Sequence, residues 1–180
     1  LPLAAGLLLV RNQKDLHTAF AQQAPYLFTG QSEAQLWDTG PRSFQCSRRA
    51  DILKLYVAFE RYGADALAAL YERLCRIAKV LHDRLDAHPD FHPLHEPESN
   101  ILCFTWTPAD VPLAERDAIT DALRERYNRS GRGWITITTL DGKRVLRAVV
   151  MNPRTRESHV EKLVDGLVRE GRAVLQSHGY

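Results

Sequence analysis

Two stretches of alternating apolar and polar residues, separated by Asp141-Gly142, constrain the fold of this chain more than any other feature. Residues 134–140 and 144–151 alternate as half-buried strands do, and Asp-Gly strongly favours a two-residue hairpin turn. The apolar run Ile101–Trp106 predicts a further strand. We therefore expect an antiparallel sheet in the second half of the chain.

Helical periodicity surrounds these strands. Apolar residues recur at helical spacing after residue 47 and again over residues 65–87, with Gly63 placed to end the first of these two helices. Residues 113–128 and 157–177 show the same spacing, and residues 15–22 predict a short helix. Residues 88–180 are thus expected to form a small α+β unit, in which helices cover one face of the sheet.

The first ten residues form a continuous apolar run that ends at Arg11-Asn12. The run is far shorter than the roughly 20 residues of a membrane-spanning helix. Its length and composition predict a strand buried on both faces, which needs neighbouring strands. We expect those neighbours to come from an upstream segment or from another polypeptide.

Composition narrows the possible partners and the compartment. The 180 residues carry a formal net charge of +2, with basic and acidic residues interleaved, and such a balance predicts neither nucleic-acid nor membrane binding. The three cysteines, Cys46, Cys75 and Cys103, are widely spaced and predict free thiols in a reducing, cytoplasmic compartment.

Two places concentrate candidate anion-binding groups. Ser47, Arg48 and Arg49 stand at a predicted helix start, which either forms a capped, solvated basic turn or binds an anion at the free N–H groups. Arg147 interrupts an apolar strand, where it either faces solvent or binds a carboxylate through two hydrogen bonds. The residue pattern alone leaves both pairs of alternatives open.

The residues around these two places resemble a known family. Residues 38–55, which read DTGPRSFQCSRRADILKL, and residues 145–155, which read VLRAVVMNPRT, are similar to segments of group II pyridoxal-phosphate-dependent amino acid decarboxylases, in the same order and at similar spacing. The resemblance implies an α/β fold, the C-terminal part of the type I pyridoxal-phosphate enzyme fold. Residues 1–87 would end the large cofactor-binding domain and include a mobile loop and connecting helices, while residues 88–180 would form the small domain.

The resemblance also implies roles for particular residues. Arg147 would hold the carboxylate of an amino acid substrate, while Ser47 and Arg48 would contact the phosphate of pyridoxal 5′-phosphate, with both regions lining one pocket. The enzymes work as dimers, so a homodimer or a heterotetramer of split halves is expected. The sequence of residues 38–46 is more similar to the glutamate and cysteine-sulfinate branch of the family than to the aromatic branch.

This sequence departs from the family pattern in two respects. None of its five lysines follows a histidine in the apolar context of the cofactor-binding lysine, so that lysine is expected in an upstream half, on the same or a separate chain. The loop at residues 29–38 lacks the tyrosine that donates a proton in many members, and Glu33 or a close neighbour occupies the nearest position. The one aromatic residue of the loop, Trp37, cannot supply a proton at a useful pKa. A different Cα reaction such as oxidative deamination, or a non-catalytic partner domain, are therefore the alternatives to decarboxylation.

His88, His92 and His95 lie within eight residues of one another. Pro89 and Pro93 break any helix that would align them, and no neighbouring side chain completes a ligand set. We therefore predict a polar connector here and no metal site.

Overall fold

The computed structural model describes residues 6–20, 40–45, 48–109 and 111–180, and the chain divides into two compact units, Leu1–Gly63 and Ala64–Tyr180. In the first unit, helix α1 spans Gln13–Ala19, and Asn12 caps it by accepting a hydrogen bond from the backbone N–H of Lys14 (3.2 Å). The predicted helix at residues 15–22 is therefore present but begins two residues earlier. A single 3-10 turn follows at Gly40–Arg42.

The expected strand at the start of the chain does not form in the described residues 6–10. These residues have irregular backbone, and Leu7, Leu8 and Leu9 are 68%, 71% and 85% exposed. An extended segment becomes a strand only when a neighbouring strand supplies hydrogen bonds, and none of the described residues pairs with it. The strand expected here, which requires neighbouring strands from another segment, therefore stays a prediction.

Helix α2 spans Ile52–Asp86 and is interrupted at Gly63, whose backbone (φ 76°, ψ 164°) is not helical. The predicted helix break at Gly63 is confirmed, because a positive φ of this size favours glycine. The first helix was expected to begin at residue 47, and this was wrong, since the helix begins at Ile52. The buried residues all lie after the break: Leu74, Ile77, Ala78, Leu81 and Leu85.

The sheet of the second unit has four antiparallel strands in the order β1-β2-β4-β3. They are β1 (Phe91–Pro93), β2 (Ile101–Trp106), β3 (Thr136–Leu140) and β4 (Lys143–Val149). The predicted hairpin joins β3 to β4, and its turn residues Asp141 and Gly142 both have positive φ (49° and 75°). Those angles match the tight hairpin turn that Asp-Gly favours.

Two further helices complete the second unit: α3 (Arg116–Arg129), preceded by a 3-10 turn at Leu113–Glu115, and α4 (Glu157–His178). Their apolar residues share one core with the second half of α2 and with one face of the sheet. Two glycines of α4 allow aromatic rings to approach closely, since Gly166 lies against Tyr127 and Gly171 against Trp106. The expected α+β unit, with helices on one face of an antiparallel sheet, is confirmed.

The compact units divide at Gly63, whereas the sequence placed the end of the large domain at residue 87. The second half of α2 belongs to the later unit because its buried residues join that core. The assignment of residues 1–87 and 88–180 to the large and small domains of a complete enzyme stays a prediction. Within the described residues, no helix has the length and apolar character needed to cross a membrane.

Candidate active site

Arg147 lies in β4, the third strand in the sheet order, with β2 on one side and β3 on the other. The strand register places Cys103 opposite it on β2 and Thr136 opposite it on β3, so the three side chains share one face of the sheet. The hydroxyl of Thr136 donates to the backbone carbonyl of Arg147 (2.9 Å). The backbone that carries the guanidinium is therefore held from both sides.

This face is opposite to the one that the helices cover. Leu146 and Phe104 point into the core, and alternation along the strands sends Arg147 and Cys103 the other way. Arg147 is half-buried. Among the residues that the structure describes, no carboxylate forms an ion pair with its guanidinium.

Arg144 shows the contrasting environment on the same strand. Its Nε and Nη2 donate to Oδ1 of Asp121 (3.2 and 3.0 Å), and its backbone N–H donates to Asp117 (3.0 Å). Both carboxylates belong to α3, so Arg144 points to the helix side of the sheet. One arginine of β4 is thus satisfied by the protein itself, and the other is available to an external carboxylate.

Cys103 is buried beside Arg147, with 6% of its surface exposed. Burial raises the pKa of the Cys103 thiol, and the nearby Arg147 guanidinium acts in the opposite direction. The thiol therefore stays neutral at physiological pH. A neutral neighbour leaves the charge of Arg147 uncompensated.

The sequence identified Arg147 but not the two residues that flank it. Thr136 could have been found, because a two-residue turn at 141–142 fixes the register of β3 against β4. Cys103 could not, because the pairing of β2 with β4 joins segments more than 40 residues apart, and no local signal specifies it.

The other predicted site residues belong to the first unit. Glu33, Trp37 and Ser47 lie outside the described residues. Arg48 is exposed and precedes α2 in irregular backbone, so it is not part of the helix start. Asp51 stands immediately before the helix and pairs with Lys54 (2.7 Å), which lowers the pKa of that carboxyl. The roles of Ser47 and Arg48 at a phosphate, and a pocket shared with Arg147, stay predictions.

None of the chain's lysines has the surroundings of a cofactor-binding amine. A lysine that forms a Schiff base must lose its proton, which burial promotes. Lys79 is exposed and hydrogen bonds to Glu96 (3.2 Å), which raises its pKa, and Lys54 is paired with Asp51. The other three are exposed: Lys14, Lys143 and Lys162. The lysines of this chain therefore do not fit covalent attachment of pyridoxal phosphate.

The three histidines of the connector have structural contacts. His88 Nδ1 accepts a hydrogen bond from the backbone N–H of Asp90 (3.2 Å), and His95 Nε2 accepts one from the backbone N–H of Cys103 (3.1 Å). His92 is exposed on β1. Across the part of the chain that the structure describes, no group of three or more His, Cys, Asp or Glu side chains is arranged to hold a metal ion.

Comparison with known proteins defines the class. The family described as the pyridoxal-dependent decarboxylase conserved domain matches residues 1–107, which is more than half of the chain. The chain therefore belongs to the pyridoxal-dependent decarboxylase family, which confirms the resemblance noted in its sequence. Pyridoxal phosphate is the cofactor of this family.

Individual relatives agree with this assignment. Acidic amino acid decarboxylase GADL1 of Mus musculus is 27% identical over 185 residues, which cover 94% of this chain and 34% of that protein. L-aspartate decarboxylase dtxS4 of Metarhizium robertsii is 28% identical over 177 residues, which cover 97% of this chain and 35% of that protein. The chain thus spans about a third of the length of the curated relatives it matches.

Solved structures show the same fold. Mouse CSAD superimposes with a TM-score of 0.70 and 24% identity, over 87% of this chain and 34% of that one. The expected fold, a C-terminal part of the type I pyridoxal-phosphate enzyme fold, is confirmed.

Proposed function

We propose that the complete protein is a pyridoxal-phosphate-dependent amino acid decarboxylase, in which Arg147 holds the substrate carboxylate. The observation that carries this proposal is the contrast on β4, where Arg144 is paired with Asp121 and the half-buried Arg147 has no carboxylate partner among the described residues. A partly buried guanidinium is stabilised most by a ligand that accepts two parallel hydrogen bonds, as a carboxylate does.

The contribution of Arg147 is orientation. Binding that is equally strong in the substrate complex and in the transition state does not raise the turnover rate. Fixing the reacting bond in a productive geometry does raise it. Thr136 and Cys103 hold the strand on both sides of Arg147, which keeps the guanidinium in place. The cofactor, when bound, supplies the electron sink for the bond that breaks.

We further propose an acidic amino acid as the substrate. The two relatives described above, an acidic amino acid decarboxylase and an L-aspartate decarboxylase, support this substrate class. The sequence of residues 38–46 also favours the glutamate and cysteine-sulfinate branch of the family, whose substrates are acidic.

Other parts of the site complete the proposal. Ser47 and Arg48 contact the cofactor phosphate, and the loop with Glu33 and Trp37 closes over the substrate. The cofactor-binding lysine comes from an upstream half on the same or a separate chain, and the assembly is a cytoplasmic homodimer or heterotetramer. The second candidate is a non-catalytic partner domain derived from such an enzyme.

One assay separates these candidates. The complete protein, supplied with pyridoxal phosphate, is incubated with glutamate, aspartate and cysteine sulfinate, and carbon dioxide, ammonia and oxygen uptake are measured. Release of carbon dioxide without oxygen uptake supports decarboxylation. Oxygen uptake with ammonia release indicates oxidative deamination, and cofactor binding without any product indicates a partner domain.

A further inference from the structure

A basic cleft lies between the end of α2 and α4 in the second unit, and its volume is about 660 Å³. Arg84 comes from the last turn of α2, and Arg169 and Arg172 come from α4. Asp165 is the one carboxylate among the described residues that line the cleft. The basic cleft therefore carries excess positive charge.

That charge is not neutralised by the described part of the protein. The side chains of Arg84 and Arg172 form no hydrogen bond or ion pair with any described residue, and the side chain of Arg169 contacts Glu170 only through its Nε (3.4 Å). Two other arginines of the same unit are paired, Arg126 with Glu170 (2.9 Å) and Arg129 with Glu125. Unpaired guanidiniums from two helices thus converge on one concave surface.

His88 adds an oriented donor to the basic cleft. Its Nδ1 accepts the backbone N–H of Asp90, so the neutral ring carries its proton on Nε2. Its ring is held edge-on against Phe91, with centroids 5.1 Å apart. A fixed ring with a free N–H provides a hydrogen bond to an anion without a large loss of side-chain freedom.

We propose that the basic cleft binds a small molecule that bears a phosphate or diphosphate group. One guanidinium satisfies a planar carboxylate through two parallel hydrogen bonds, whereas a phosphate directs several oxygens outward and uses donors from several directions. The basic cleft offers donors from two helices and from His88, which suits the tetrahedral group. Val164 and Val168 add apolar surface for the remainder of the ligand.

The basic cleft is separate from the carboxylate site. Its helices pack against the sheet face that contains Phe104 and Leu146, and Arg147 points to the opposite face. Because the two sites are separate, binding of a phosphate compound to the basic cleft is measured directly and does not require an activity assay.

The test is calorimetric titration of the complete protein with pyrophosphate. The protein is first loaded with pyridoxal phosphate and then freed of excess cofactor, so that the cofactor site is filled and the basic cleft is empty. We expect binding by the wild type and at least tenfold weaker binding by the double variant Arg84→Gln/Arg172→Gln. The control Arg61→Gln/Arg154→Gln removes the same charge from exposed positions outside the cleft and should keep the wild-type affinity.

Two further arms sharpen the result. Asp165→Asn removes the carboxylate of the basic cleft and should tighten pyrophosphate binding severalfold. Tricarballylate, which carries carboxylates of similar total charge, should bind more weakly than pyrophosphate. Absence of pyrophosphate binding, an equal loss in the control variant, or equal affinity for tricarballylate would overturn the proposal.

Discussion

Arg144 and Arg147 lie three residues apart on β4 and face opposite sides of the sheet. An odd separation along a strand places side chains on opposite faces. Asp121 of α3 pairs with Arg144 at 3.0 Å, while the described residues supply no carboxylate to Arg147. The same strand therefore contains one arginine that is paired within the fold and one without a carboxylate partner among the described residues.

Substitution of the two close-contact glycines of α4 should reverse the usual effect of alanine in a helix. Glycine to alanine within a helix ordinarily stabilises by about 1 kcal/mol. At Gly166 the added Cβ would lie 2.8 Å from Cε2 of Tyr127, and at Gly171 it would meet the ring of Trp106. We expect Gly166→Ala and Gly171→Ala each to lower the free energy of unfolding by about 1–3 kcal/mol. Urea unfolding followed by tryptophan fluorescence measures this, and stabilisation by either variant would contradict the packing described.

Removal of the buried charge on α4 should cost more than removal of an exposed one. The side chain of Glu170 is 12% exposed and pairs with Arg126 (2.9 Å) and Arg169 (3.4 Å). Glu170→Gln should lower the free energy of unfolding by about 1–2 kcal/mol, because charged hydrogen bonds are lost. The loss is not larger because the arginines stay partly solvated.

The matched control for Glu170→Gln is Glu125→Gln. Glu125 forms an i,i+4 pair with Arg129 on the surface of α3, and such pairs contribute about 0.3–0.5 kcal/mol. Hydrogen exchange of the α3 and α4 amides reports both variants locally. Equal losses of unfolding free energy in the two variants would show that burial does not increase the contribution of Glu170 to stability.

The second unit should lose stability at alkaline pH. Burial raises the pKa of the Tyr127 hydroxyl and of the Cys103 thiol, although nearby arginines oppose both shifts. Each group holds its proton more tightly in the folded chain, so its stabilisation is complete below the unfolded pKa and is lost as pH rises through the folded pKa.

Tyr127→Phe tests that expectation. The variant removes one of the two groups, so its unfolding free energy should decline less than that of the wild type between about pH 8 and pH 10.5. Parallel urea titrations at the two pH values give the comparison. Identical declines in variant and wild type would mean that Tyr127 does not contribute.

Several local elements were predictable from sequence because their signals are local. Asp141-Gly142 has the positive φ values that its turn requires, Gly63 breaks the helix where its position indicated, and β2 has the predicted bounds. Features that depend on distant residues were not predictable. Residues 6–10 pair with no described strand, and the basic cleft is lined by residues of both α2 and α4, which are far apart in the sequence.

The candidate site was predictable only in part. A charged residue within an apolar strand identified Arg147, and the family resemblance gave it a ligand. The sequence also predicts an apolar stripe on the first helix, formed by Ile52, Leu55, Tyr56 and Phe59. Leu55 is half-buried, but the other three residues are 50–64% exposed. A helical pattern identifies a face but does not identify what covers it.

The most direct test of the account compares Arg147→Lys with Arg144→Lys in the complete, cofactor-loaded protein, with an acidic amino acid as substrate. Lysine keeps the charge but cannot form the two parallel hydrogen bonds. We predict that Arg147→Lys retains the cofactor and lowers kcat/KM by about 100-fold, while Arg144→Lys retains wild-type turnover. Unchanged kcat/KM in Arg147→Lys, or equal losses in both variants, would contradict the assignment of Arg147 to the substrate carboxylate.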